Sequence, residues 1–176
     1  MSKKTVNLQG ISVPSKQNFL ILDDEGDINE LIVDLLEILG FDGVFYQAYS
    51  IADAKEMLSK HTINYILSDW NLPDGKGVSL LKAVRSSEKF KHLPFLMITG
   101  NSDVDSMLES SKLGVSEYLV KPFDKSSFQN KLVEGWKSHL DNEDHIIQSL
   151  KKEIVALEIE IEKLKEENHS LKQKLK

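Results

Sequence analysis

The sequence contains no cysteine, only four prolines, and no apolar run approaching the ~18 residues that span a bilayer. Without cysteine there are no disulfides, thiolate metal ligands or thiol nucleophiles, which suits a reducing compartment. Lys3 and Lys4 are not followed by the apolar stretch of a secretory signal. Positive charge is in deficit. The 22 Lys and Arg against 28 Asp and Glu leave a net charge of −6, so neither nucleic acid nor an anionic membrane is the expected main partner. The expected location is cytoplasmic.

The 176 residues suffice for one ordinary domain and an appendage. Residues 1–17 are polar, with Gly10 and Pro14, and read as a flexible N-terminal arm. From there the pattern becomes regular. Phe19-Leu20-Ile21-Leu22, Val44-Phe45-Tyr46, Tyr65-Ile66-Leu67, Phe95-Leu96-Met97-Ile98 and Tyr118-Leu119-Val120 are short continuous apolar runs. Helical spacing follows each of them: Leu31 to Ile38 closed by Gly40, Ile51 to Leu58, Val78 to Val84, Val104 to Leu113 closed by Gly114, and Phe128 to Leu140. Strands apolar on both faces belong in a parallel sheet covered by helices. Five strand–helix alternations with right-handed crossovers predict a doubly wound α/β domain. Ligands of such folds bind beyond the carboxyl ends of the strands.

Those ends carry chemistry. The first strand runs into Asp23-Asp24, the third into Asp69, the fourth into Thr99, and the fifth into Lys121-Pro122. One polar residue ending a strand means little, but three carboxylates, a hydroxyl and an ammonium on four strands converge on one end of the sheet. Clustered carboxylates repel unless a cation lies among them, and an all-oxygen site with room for water suits Mg²⁺. A carboxylate can also be the nucleophile of phosphoryl transfer, giving an acyl phosphate. That transfer needs positioning and charge neutralisation more than covalent help. Lys121 offers the cation for phosphoryl oxygens and Thr99 a short hydroxyl donor. His61 and His92 lie outside these motifs and read as surface residues.

Four segments occur in order at suitable spacing: Asp23-Asp24-Glu25, Ser68-Asp69-Trp70-Asn71-Leu72-Pro73-Asp74-Gly75, Ile98-Thr99-Gly100, and Tyr118-Leu119-Val120-Lys121-Pro122-Phe123. On them, residues 18–140 resemble the receiver domain of two-component response regulators, close to the chemotaxis type. The resemblance implies a flavodoxin-like five-stranded sheet of order 2-1-3-4-5. It implies phosphorylation of Asp69 by a sensor histidine kinase or phosphotransfer protein, followed by slow autodephosphorylation. It implies Mg²⁺ held by Asp24 directly, by Asp23 mostly through water, by Asp69, and by the backbone carbonyl of Asn71. It further implies a cis Lys121–Pro122 bond, and a switch in which Thr99 moves toward the phosphoryl group while Tyr118 turns inward.

Beyond residue 140 the pattern changes again. Ile147, Ile154, Ile161, Asn168 and Leu175 recur every seven residues, with Leu150, Leu157, Leu164 and Leu171 between them. Ile at a with Leu at d predicts a two-stranded parallel coiled coil over residues 141–176, a homodimer whose register Asn168 would fix. Parallel pairing sets Glu160 against the partner's Lys165 and Glu167 against the partner's Lys172, with one repulsive pair, Glu153 against the partner's Glu158. Antiparallel pairing would set like charges together along most of the seam. The a/d phase extends back to Leu140, Trp136 and Val133, which suggests one continuous helix, although Asp141 could cap a fresh start. The stretch before the zipper, Asp141-Asn142-Glu143-Asp144, is acidic where a basic-zipper DNA binder needs positive charge. Three functions fit: a stand-alone dimeric switch, the regulatory fragment of a longer protein whose effector is a diguanylate cyclase or kinase, and a constitutive dimeric scaffold.

Overall fold

The computed structural model describes residues 4–100 and 113–174. The helix expected over Val104 to Leu113 falls almost entirely outside them. Two compact units meet between His139 and Leu140.

The sheet of the first unit is built from β3 (Phe19–Leu22), β4 (Phe45–Ala48), β5 (Tyr65–Asp69), β8 (Phe95–Thr99) and β9 (Glu117–Val120). All neighbours are parallel, in the order β4-β3-β5-β8-β9. Counted along the chain this is 2-1-3-4-5, as expected. Successive strand residues point to opposite faces, and the core divides accordingly. Phe19, Ile21, Tyr65, Leu67, Leu96 and Ile98 pack with α1 (Gly26–Ile38) and the first turns of α4 (Lys125–Lys174). Leu20, Leu22, Ile66, Phe95 and Met97 pack with α2 (Ile51–Lys60) and α3 (Gly77–Arg85). Because both faces are covered, β3, β5 and β8 are buried at every position.

Residues 4–17 are not a flexible arm. β1 (Thr5–Leu8) and β2 (Ile11–Pro14) form an antiparallel hairpin with Val6 opposite Val13 and Leu8 opposite Ile11. Its turn places Gln9 at φ 49° and Gly10 at φ 92°, the left-handed pair that tight hairpin turns require. Gly10 N–H donates to Asn7 Oδ1 at 3.1 Å. Alternation does the rest: Val6, Leu8 and Val13 are buried in the α1–α4 side of the core while Thr5, Asn7 and Ser12 face out. Lys4 pairs with Asp42 at 3.3 Å, Asp42 N–H donates to Ser15 O at 2.9 Å, and Gln9 Nε2 donates to Asn130 Oδ1. The hairpin thus bridges the loop after α1 and the start of α4.

Asp124 caps α4, accepting the Ser127 N–H at 2.8 Å, and Ser127 Oγ in turn accepts the Asp124 N–H at 3.0 Å. The backbone is helical without interruption to Lys174. Val133 and Trp136, read from sequence as the upstream end of the zipper seam, belong to the core instead. Trp136 meets Phe41 in a stack at 5.3 Å and Phe19 and Tyr65 edge-on at 5.7 and 4.7 Å. The shared phase has a simple cause: a face that packs on a sheet repeats at nearly the same spacing as a coiled-coil seam. In the second unit, Ile147, Leu150, Ile154, Leu157, Ile161 and Leu164 are each 46–57% exposed. Leu175 lies outside the described residues, as do the side chains of Asn168 and Leu171.

Leu8, 1% exposed beside the hairpin's turn, tests the hairpin's structural role. Leu8→Ala is expected to lower unfolding free energy by about 2–5 kcal/mol, read as a shift in denaturant midpoint at unchanged slope. A residue on a mobile arm would give no shift.

Candidate acidic site at the strand ends

β3 ends at Leu22 and hands on to Asp23, 1% exposed; β5 ends in Asp69, 7% exposed. Since β3 and β5 are neighbours, both carboxylates emerge at one end of the sheet. Lys121, just after β9, reaches between them. Its Nζ lies 2.6 Å from Asp23 Oδ2 and 2.8 Å from Asp69 Oδ1. Lys121 N–H donates to Thr99 O at 2.8 Å, and the Lys121–Pro122 bond is cis. Thr99 is buried at the end of β8, while Tyr118, half-buried on β9, packs against the α2–α3 side of the core.

The remaining contacts fix the acids. Asn71 N–H donates to Asp69 Oδ2 at 2.6 Å and Glu25 N–H to Asp23 Oδ1 at 3.1 Å. Burial raises the Asp69 pKa above the ordinary carboxylate range, outweighing the opposing hydrogen bond and charge of Lys121. For Lys121, burial works against the ammonium, but its hydrogen bonds to Asp23 and Asp69 prevail and raise its pKa. Both shifts arise from one arrangement: two acids in little water sharing a single cation. One negative charge is left over in the trio, before Asp24 is counted.

Asp24 is exposed, and among the described residues no three acidic or imidazole side chains are grouped closely enough to ligate one ion. The structure joins Asp23, Asp69 and Lys121, with Asp24 at the surface beside Asp23. The donor chemistry still suits Mg²⁺: three carboxylates and the Asn71 carbonyl are hard oxygen ligands, and the uncompensated charge favours a small divalent ion.

The loop after β5 is more ordered than its Pro and Gly content suggests. β6 (Asn71–Leu72) and β7 (Gly75–Lys76) pair as a short antiparallel ladder. Gly77 N–H donates to Trp70 O at 2.8 Å, and a Cβ on Gly77 would run into the Asp69 carbonyl oxygen. Trp70 is buried, with Lys76 Nζ 5.6 Å from its ring centre. Asp74 reaches across to α2, its two oxygens accepting the N–H groups of Ile51 and Ala52 at 2.9 Å each. Sequence reasoning missed Asp74 and Asn29. Asn29 is a fully buried polar residue in the first turn of α1, and a poor helix former on an apolar stripe was the signal available.

A family model of the response regulator receiver domain matches residues 19–133. The chain belongs to the response regulator receiver domain family. Chemotaxis protein CheY-3 of Vibrio cholerae serotype O1 is 37% identical over 113 residues, 64% of this chain and 86% of the relative. Chemotaxis protein CheY of Pseudomonas aeruginosa is 37% identical over 113 residues, 64% of this chain and 90% of its own length. The crystallised chemotaxis response regulator CheY4 of Vibrio cholerae superposes with a TM-score of 0.63 at 27% identity, covering 68% of this chain and 98% of that one. This protein is thus a receiver domain of the two-component and chemotaxis type. Its β1–β2 hairpin and everything after residue 133 lie outside the family match. No helix among the described residues is long and apolar enough to cross a membrane.

The hydrogen bonds from Ile51 and Ala52 hold the Asp74 carboxyl below its ordinary pKa. A depressed carboxyl contributes stability above its unfolded value of ~3.9 and loses it as pH falls through the lower folded value. The Ile51 and Ala52 amide resonances should therefore hold steady on acidification to about pH 4 and move only below it. Movement with a midpoint above that value would contradict the tether.

Proposed function

We propose that this receiver accepts a phosphoryl group on Asp69 from a sensor histidine kinase or a phosphotransfer protein, with Mg²⁺ as its cofactor. The observation that carries the reading is the single ammonium of Lys121 between two buried carboxylates at neighbouring strand ends. In the transfer an Asp69 oxygen forms a bond to phosphorus as the donor's P–N or P–O bond breaks, and the leaving group keeps the electron pair. Each Asp69 oxygen accepts one contact and retains a lone pair for the attack.

Lys121 is held to neutralise the equatorial oxygens as they gather charge. Asp23, Asp24, Asp69 and the Asn71 carbonyl would hold the magnesium ion, which when bound supplies charge neutralisation at the phosphoryl oxygens. Thr99 and Tyr118 form the switch: the Thr99 hydroxyl turns toward the new phosphoryl oxygens and Tyr118 follows into the space vacated. Water attack on the acyl phosphate later returns the domain to its resting state.

The protein works as a parallel homodimer joined by a coiled coil over residues 141–176. Support comes from the exposed a and d residues Ile147, Leu150, Ile154, Leu157, Ile161 and Leu164, one per half-heptad, a patch uncommon on a monomer. The e and g charges favour the parallel orientation.

Incubation with Mg²⁺ and acetyl phosphate, followed by reductive trapping of the acyl phosphate, should label the protein at one site and leave Asp69→Asn unlabelled. Label persisting on the Asp69→Asn variant would remove the acceptor assignment. Replacing Leu157 and Ile161 together by Lys in the full chain should halve the mass seen by light scattering without affecting that labelling. An unchanged dimer mass would move the interface onto the receiver domain.

A further inference from the structure

On α1, Asn29, Ile32, Leu35 and Leu36 face inward, and the first of these is 0% exposed. An aliphatic side chain would suit that stripe and the helix better. Burying an amide costs free energy unless it is hydrogen-bonded, so its bonds reveal its use. Asn29 Nδ2 donates to Asp23 O at 2.9 Å and, at a longer 3.4 Å, to Ala48 O. Those are carbonyls at the ends of β3 and β4, two adjacent strands of the sheet.

The Asp23 contacts form a closed set. Its N–H donates to Ala48 O at 3.3 Å, its carboxylate receives Glu25 N–H and Lys121 Nζ, and its carbonyl receives Asn29. The first three orient Asp23 itself. The fourth acts on the next residue, because a peptide unit is planar and trans. Fixing the direction of the Asp23 carbonyl fixes the plane in which the Asp24 nitrogen and Cα lie. Asp24 is exposed, so burial does little to place it, and its position depends on that plane.

We propose that Asn29 is a positioning residue that sets the Asp24 carboxylate for the divalent ion by locking the Asp23–Asp24 peptide. This rests on the phosphoryl-transfer reading above and adds a residue that touches neither ion nor phosphoryl group. The two Nδ2–H groups fit the task, since both targets are acceptors. Aspartate at the same position would present oxygens to two carbonyls, and leucine would take this donor from the Asp23 carbonyl while Ala48 O keeps the Asp23 N–H.

The test is a Mg²⁺ titration of the ¹⁵N-labelled full chain, following the Asp24 and Trp70 amide resonances. Asn29→Leu should weaken Mg²⁺ by about ten-fold, the scale on which residues supporting metal ligands act, and displace the Asp24 amide resonance before any metal is added. Leu8→Ala, destabilised elsewhere in the core, should keep the parent affinity, which separates positioning from general loss of stability. Asn29→Ser, a smaller change, takes the place of Asn29→Leu if the latter does not fold. Parent affinity in a folded Asn29 variant overturns the proposal, as does failure of both variants to fold, which would make Asn29 a purely structural residue. A parent protein that shows no Mg²⁺ response and no labelling by acetyl phosphate overturns the phosphoryl-transfer reading, and this inference with it.

Discussion

Two carboxylates with little access to water share one ammonium, and the C-terminal end of the sheet is arranged around that constraint. Removing one partner of a buried ion pair typically costs about 3–5 kcal/mol, because the other charge is left without compensation. Lys121 is therefore fixed by its acids as much as they are by it. Its backbone N–H is committed to the Thr99 carbonyl, which ties the end of β9 to the end of β8. Asp69 is committed on its other oxygen to the Asn71 amide, which sets the course of the loop beyond it. That loop returns to the sheet through Gly77, close against the Asp69 carbonyl, and reaches α2 through Asp74. Four strand ends and two helix starts thus answer to one pattern of charge.

The same pattern explains what could be read without coordinates. Strands buried on both faces leave unbroken apolar runs, and Phe19–Leu22 and Phe95–Ile98 were legible for that reason. A fold that binds at strand ends concentrates polar residues there, so Asp23, Asp69, Thr99 and Lys121 stood out by position. The hairpin did not. Its strands have four residues each, and its turn uses Gln-Gly where Asn-Gly would have announced the φ > 0 pair. Asn29 and Asp74 were missed because their partners are backbone groups of other elements, which a linear pattern does not encode. Val133 and Trp136 were misplaced for the opposite reason, a pattern too general to name what the face packs against.

The family model begins at residue 19, whereas the hydrophobic core begins at Val6. The boundary recognised by kinship and the boundary drawn by packing differ by about one hairpin. A module cut at the limits of the family match would begin at residue 19. Here that cut would pass through an interior, removing Val6, Leu8 and Val13 from the cluster that holds Phe41 and Trp136. A different receiver grafted onto this C-terminal helix would arrive without the segment that covers the helix's first turns. The unit that can be exchanged is longer than the unit that can be recognised, by the hairpin upstream of the first strand of the sheet and by the turn of helix downstream that carries Trp136.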